Sequence, residues 1–278
     1  MPETVTPKRL SSGNNMQWLF ILRSLVLSLL LGLNLLSIPT YAADSPAIAA
    51  AANVRFALHA IAQQFTQETH LTIRPSYGSS GQLTQQILNG APFEIFISAD
   101  SHYPLLLEEA EKTQGRLVVY AIGRLAIIKS RDSNLLLDAK LQGLSQALTN
   151  NQIARFAIAT PAHAPYGLRA KDALIQQQLW KPIENKLIYG ENVAQAAQFA
   201  LSNSAQGGIV ALSLVKAPAF HEHGEFSIID QGLHQPLLQS MVLTSTAGAT
   251  AKHFFQYLQS DTARDIFVQY GFDLPRQD

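Results

Sequence analysis

Short apolar runs alternate along this chain with segments whose apolar residues recur at the spacing of a helix face. Ala47 to Ala51 is an unbroken run and predicts a buried strand. From Val54 to Thr69, Phe56, Leu58, Ile61, Ala62 and Phe65 recur at intervals of two to four, which predicts a helix. A strand follows at Leu71 to Pro75, then a helix from Gly81 to Leu88, a strand from Glu94 to Ser98 and a helix from Tyr103 to Glu111. Strands alternating with helices indicate parallel α/β packing.

The rhythm changes at Leu117. Leu117 to Ala121 and Leu125 to Lys129 read as two strands with little between them, as a chain passing from one sheet to another would look. Further on, helices are predicted at Leu141 to Leu148, Gly167 to Leu179 and Val193 to Leu201. Strands are predicted at Phe156 to Ala159, Lys186 to Tyr189, Gly208 to Leu212, Phe226 to Ile229 and Ser240 to Thr244. Helices at His253 to Leu258 and Thr262 to Tyr270 close the chain, with Gly271 placed as a C-terminal cap. Crossings near Ala121 to Arg124 and Gln231 to Leu238 divide the chain into two lobes. One is expected from residues 43–122 and 235–278, the other from 123–234. A ligand cleft between them is the expectation, since ligand sites favour domain interfaces and the carboxyl ends of parallel strands.

The N-terminus changes the picture. Lys8, Arg9 and Arg23 precede the apolar run Leu25 to Ile38, and Pro39-Thr40-Tyr41-Ala42-Ala43 follows it. A charged region, a short apolar region and a small-residue exit have the layout of a secretory signal. Trp18 to Ile38 is nearly long enough to span a bilayer, but Arg23 interrupts it and Ala42-Ala43 offer a cleavage site. Residues 1–42 are therefore expected to be a cleaved signal, and the mature protein to be periplasmic. Basic and acidic residues number 20 each, so no basic excess points to nucleic acid. With no cysteine, disulfides, thiolate metal sites and a thioether lipid anchor are excluded. Losing Lys8, Arg9, Arg23 and Glu3 with the signal would leave a slightly acidic body, so an anion site here must come from local dipoles.

Four strand-to-helix junctions carry the candidate chemistry: Ala50-Ala51-Ala52-Asn53, Tyr77-Gly78-Ser79-Ser80-Gly81, Pro161 to Gly167, and Gly190-Glu191-Asn192-Val193. Each places unpaired backbone N–H groups at a helix N-terminus, where the partial positive charge favours anions without lysine or arginine. Asn53 offers an amide, Ser79 and Ser80 hydroxyls, and Tyr166 a phenol. Taken singly, each junction reads as an ordinary cap or turn; the signal is their recurrence in one exported chain. A fully deprotonated tetrahedral oxyanion needs donors only, whereas hydrogen phosphate also needs an acceptor. The one carboxylate in these loops, Glu191, reads as a cap. A group-VI dianion is favoured, with sulfate as the rival.

The stretch Tyr77-Gly78-Ser79-Ser80-Gly81-Gln82-Leu83, with Asn89-Gly90-Ala91-Pro92-Phe93-Glu94-Ile95-Phe96-Ile97-Ser98-Ala99-Asp100, resembles the periplasmic molybdate-binding proteins of molybdate ABC importers. Gly208-Ile209-Val210 and Tyr270-Gly271-Phe272 also fit, so the similarity runs from about Ala47 to Phe272. The resemblance implies a two-lobed type II periplasmic-binding-protein fold, each lobe a mixed, mostly parallel sheet flanked by helices. It implies oxyanion donors at Asn53, Ser80, Tyr166 and Val193, with Ala52 adjacent, and molybdate or tungstate as ligand. Many members carry serine at the position of Asn53 and a binding tyrosine at that of Ala211. Here Tyr166 stands where those members have a small residue, so the phenol would come from the opposite loop.

The implied partners are a membrane permease and its cytoplasmic ATPase. A monomer without cofactor or cation site is expected. A sensory protein of the same fold, passing its ligand state to a receptor, is the other reading. An enzyme is not expected: Gly-x-Ser-x-Gly is absent, and Ser79 and Ser80 have no assigned base. Asp100 would repel a dianion and is assigned to capping or bracing. His221-Glu222-His223 with His234 invites a metal reading but lacks a matching ligand set. His163 beside the third junction is read as a solvated loop histidine.

Overall fold

The computed structural model describes residues 45–202 and 204–276, together with 1, 3 and 4. The signal segment otherwise lies outside the described residues. No helix among the described residues is long and apolar enough to cross a membrane.

Among the described residues, ten strands form two five-stranded sheets. The strands are β1 (Ala47–Ala51), β2 (Arg74–Gly78), β3 (Ile95–Ser98), β4 (Thr113–Gly123), β5 (Leu125–Ser130), β6 (Phe156–Ala159), β7 (Leu187–Gly190), β8 (Gly208–Ala211), β9 (Gly224–Ile228) and β10 (Leu237–Thr244). The longer helices are α1 (Arg55–Thr69), α2 (Ser80–Leu88), α3 (His102–Glu109), α4 (Gln142–Thr149), α5 (Pro165–Gln176), α6 (Val193–Leu201), α7 (Ala249–Tyr257) and α8 (Asp261–Gln269).

The first sheet has the order β2-β1-β3-β10-β4 and the second β7-β6-β8-β5-β9. β1 is parallel to both β2 and β3, and β6 to both β7 and β8. β10 runs antiparallel between β3 and β4. β5 runs antiparallel between β8 and β9. The chain leaves the first sheet after β4, builds the second, and returns as β10. Because β1, β2, β6 and β7 are parallel strands followed by helical turns, the four candidate junctions all fall at carboxyl ends of strands, where such sheets place their sites.

Local sequence explains most elements. β1 and β6 are short apolar runs buried on both faces, as central parallel strands are. Gly271 follows α8 with φ +81°, the left-handed cap expected of glycine. Several elements depart from the expected bounds, three of them for a plain physical reason. The second strand is Arg74–Gly78, not Leu71 to Pro75: parallel pairing starts at Ala47↔Arg74, and Leu71 and Ile73 instead pack from the loop against the first core. β4 reaches back to Thr113, because Gly115 and Arg116 lie on an exposed end that has no apolar signal yet pairs with β10. α5 starts at Pro165, since proline fits the first helical position and has no N–H to waste there.

One cap sets a stability prediction. α4 follows Leu141, a buried residue held at φ 60°. The Asp138 carboxylate supports that turn by accepting N–H bonds from Lys140 (2.8 Å), Gln142 (3.0 Å) and Gly143 (2.7 Å). Partial burial pushes its pKa up, but these backbone donors outweigh it and the net shift is downward. Asp138→Ala should cost about 1–2 kcal/mol at neutral pH. A depressed carboxylate contributes fully above its unfolded pKa of about 3.9, and the contribution fades as pH falls through the folded value. Urea midpoints of the two proteins should therefore converge in acid.

Candidate functional site

Ala52, Asn53, Ser80, Tyr166 and Val193 line one small cavity. Ala52 and Asn53 follow β1, and Ser80 follows β2, both in the first sheet. Tyr166 and Val193 open α5 and α6 beside the second sheet. All five are nearly or wholly buried. The lining contains no Lys, Arg, His, Asp or Glu, so its electrostatics are those of helix N-termini and hydroxyl dipoles. A larger, solvent-open hollow beside Ser133, Gln152 and Gln206 gathers no helix N-terminus.

Each junction leaves a donor over. At α2, Ser79 is the cap and accepts the N–H of Gln82 (3.4 Å). Ser80 then occupies the first helical position, where the helix cannot pair its N–H. Its Oγ accepts the Ala99 N–H at 3.0 Å, which leaves the hydroxyl proton free to be given elsewhere. At α6 the Asn192 side chain takes the N–H groups of Ala194 (3.0 Å) and Gln195 (3.1 Å), leaving that of Val193 over. At α5, Pro165 has no N–H, and Leu168 bonds back to the Ala164 carbonyl (3.1 Å), so the N–H of Tyr166 remains. The turn Ala52–Val54 before α1 supplies the fourth set.

The phenol of Tyr166 lies deep, where the sheets meet. A Cβ on Gly123 would come within 2.3 Å of its oxygen, so only glycine at 123 admits the ring. The hydroxyl is near Asn53, Ser213 and Gln239 but makes no well-formed hydrogen bond with them. Burial pushes its pKa far above the ordinary tyrosine value, which keeps it protonated as a donor.

Asn53 has a distant partner. One hydrogen of its amide N–H₂ goes to Gln239 Oε1 at 2.8 Å, while Oδ1 is buried without a partner. The assignment is consistent, because Gln239 gives its own N–H₂ to the Ala99 carbonyl (3.0 Å) and so presents Oε1 as acceptor. What Asn53 has left to donate is its second amide hydrogen and its backbone N–H. Gln239 escaped the sequence reading. It is a fully buried amide on β10, ties Asn53 to Ala99 and also receives the Tyr120 hydroxyl (3.4 Å). Its signal was a lone amide among the apolar residues of a returning strand.

Other loop residues serve elsewhere. Ser79 Oγ lies 2.9 Å from His163 Nδ1, so its hydroxyl is engaged with the third junction. Glu191 does not cap α6, since Asn192 does; its carboxylate accepts from Gln82 Nε2 (2.7 Å). His163 is therefore no free loop histidine. Asp100 accepts from the Tyr103 N–H (3.3 Å) and Ser98 Oγ (3.2 Å), bracing the start of α3. Ala211 is buried at the end of β8, opposite Leu125. The His221 side chain lies outside the described residues. Among those described, no group of three or more His, Cys, Asp or Glu is placed to hold a metal ion. His234 donates from Nδ1 to the Gln235 carbonyl (2.8 Å), and burial lowers its pKa.

Residues 47–273 match the family described as Bacterial extracellular solute-binding protein. The chain is similar to molybdate-binding protein ModA of Rhodobacter capsulatus, with 33% identity over 249 residues, 88% of this chain and 93% of that one. It is 31% identical to molybdate-binding protein ModA of Azotobacter vinelandii over 258 residues, 92% and 99% of the two chains. Among solved structures, the periplasmic molybdate-binding protein of Azotobacter vinelandii superimposes with a TM-score of 0.76 at 30% identity, covering 84% of this chain and 100% of that one.

Proposed function

Because this chain belongs to the bacterial extracellular solute-binding protein family, we propose that it captures molybdate or tungstate and delivers it to an ABC importer. It has the two-lobed type II fold of that family, and it is a binding protein, not an enzyme. The observation that carries the ligand reading is the cavity itself. First-turn N–H groups from four junctions and the hydroxyls of Ser80 and Tyr166 surround a space with no charged side chain. Such a lining suits an anion that needs donors and brings no proton of its own. No carboxylate stands by to accept a proton from hydrogen phosphate.

In this reading the ligand residues are Ala52, Asn53, Ser80, Tyr166 and Val193. One lobe is residues 43–122 with 235–278 and the other 123–234. Closure of the lobes joins donors from both sides. Residues 1–42 are removed on export to the periplasm. The mature monomer docks on a membrane permease driven by a cytoplasmic ATPase. Sulfate is the competing ligand, since it offers the same four oxygens and charge. Titration calorimetry on the mature chain should show molybdate and tungstate binding and displacing sulfate. Binding of sulfate or phosphate with no heat from either group-VI anion would overturn the reading.

A further inference from the structure

At the rim of the cavity the two lobes also hold each other directly. The first turn of α2 meets two loops of the other lobe. The Gly81 N–H donates to the His163 carbonyl at 2.9 Å, so this helix spends its second free donor on the protein and not on the ligand. A Cβ at Gly81 would sit 2.8 Å from the His163 Cβ, so the approach requires glycine. Ser79 Oγ and His163 Nδ1 are 2.9 Å apart, and Gln82 Nε2 donates to Glu191 Oε2 at 2.7 Å. His163 Nε2 stands 3.8 Å from the same Glu191 oxygen, an ion pair when the imidazole is protonated. Gln82, His163 and Glu191 do not line the cavity.

We propose that Gln82, His163 and Glu191 form a clasp across the cleft mouth, which holds the ligand-bound form shut and sets how long the oxyanion stays without touching it. This rests on the two-lobed capture reading. The lobes are covalently joined only by the two crossings, so parting them breaks the clasp while the helices and sheets within each lobe persist. A wholly buried ligand leaves only when the lobes part. The clasp must then act on the release rate and hardly on the capture rate.

The test is stopped-flow release of molybdate from the mature wild type, Gln82→Ala, Glu191→Ala, His163→Ala and the Gln82→Ala/Glu191→Ala pair, each with one spin label per lobe. Each single change should speed release by about two- to fivefold, the scale of an exposed charged contact. The pair should release no faster than the quicker single variant, because both remove one bond. Association rates and ligand-free melting temperatures should stay at the wild-type values, which a merely structural role would not predict. Unchanged release rates, or effects of Gln82 and Glu191 that multiply, would overturn the clasp. A wild type that fails to bind molybdate would sink the capture reading instead. The inter-label distances, read with whichever oxyanion calorimetry shows to bind, then decide the clasp alone: a shift to wider separation in the variants supports it, and identical distributions overturn it.

Discussion

Replacing Ser80 by alanine is expected to weaken oxyanion binding by about 1.5–3 kcal/mol, roughly ten- to 150-fold, the scale of a hydrogen bond to a charged group. The same substitution should destabilise the ligand-free protein. Ser80 Oγ accepts the buried Ala99 N–H at 3.0 Å, and alanine would leave that donor unpaired, a cost of about 1–3 kcal/mol. Two measurements separate the roles. Calorimetry reads the lost ligand contact, and the urea midpoint without ligand reads the lost Ala99 bond. Affinity equal to wild type would remove the Ser80 hydroxyl from the site, whatever the stability shows.

Val193→Pro should produce a comparable loss of affinity with little change in stability. Proline is well tolerated at the first position of a helix, where its missing N–H is not needed by the helix itself. Val193 opens α6, and Asn192 before it is extended at φ −148°, ψ 173°, the conformation a following proline demands. The substitution therefore deletes one backbone donor and keeps the helix. The expected result is binding weaker by about 1.5–3 kcal/mol with an unfolding free energy within about 1 kcal/mol of wild type. Val193→Ala keeps the N–H and should keep most of the affinity. If alanine and proline behave alike, the side chain and not the backbone meets the ligand, and the dipole account of the site fails.

The four junctions were legible as helix starts because their signals are local. A small polar residue, a helix start and a preceding strand end occupy five or six consecutive positions, and the four junctions read correctly as helix starts on that basis. The parallel α/β pattern was legible for the same reason. What stayed hidden depends on contacts between distant segments. Gln239 meets Asn53 across 186 positions, and Glu191 meets Gln82 across 109. Nothing in the short window around Asn53 says that one of its amide hydrogens is already committed. Ser79 was identified as a polar loop residue, but only the folded chain brings His163 to it. Leu71 and Ile73 alternate as a strand would, yet they serve the core from a loop, since the pairing register with β1 begins further on.

The passage from β4 to β5 is a single residue, Arg124. On one side Gly123 is held in register with Leu237, and on the other Leu125 with Ala211. The Arg124 carbonyl accepts the Leu212 N–H (2.9 Å), and its guanidinium pairs with Asp273 (3.2 Å). Ladder bonds on both flanks leave few backbone torsions free at that point. Any relative movement of the two sheets is expected to turn about this short passage and not to slide there. The Tyr166 hydroxyl lies beside Gly123 at that passage, so a small change of angle there is expected to displace it little.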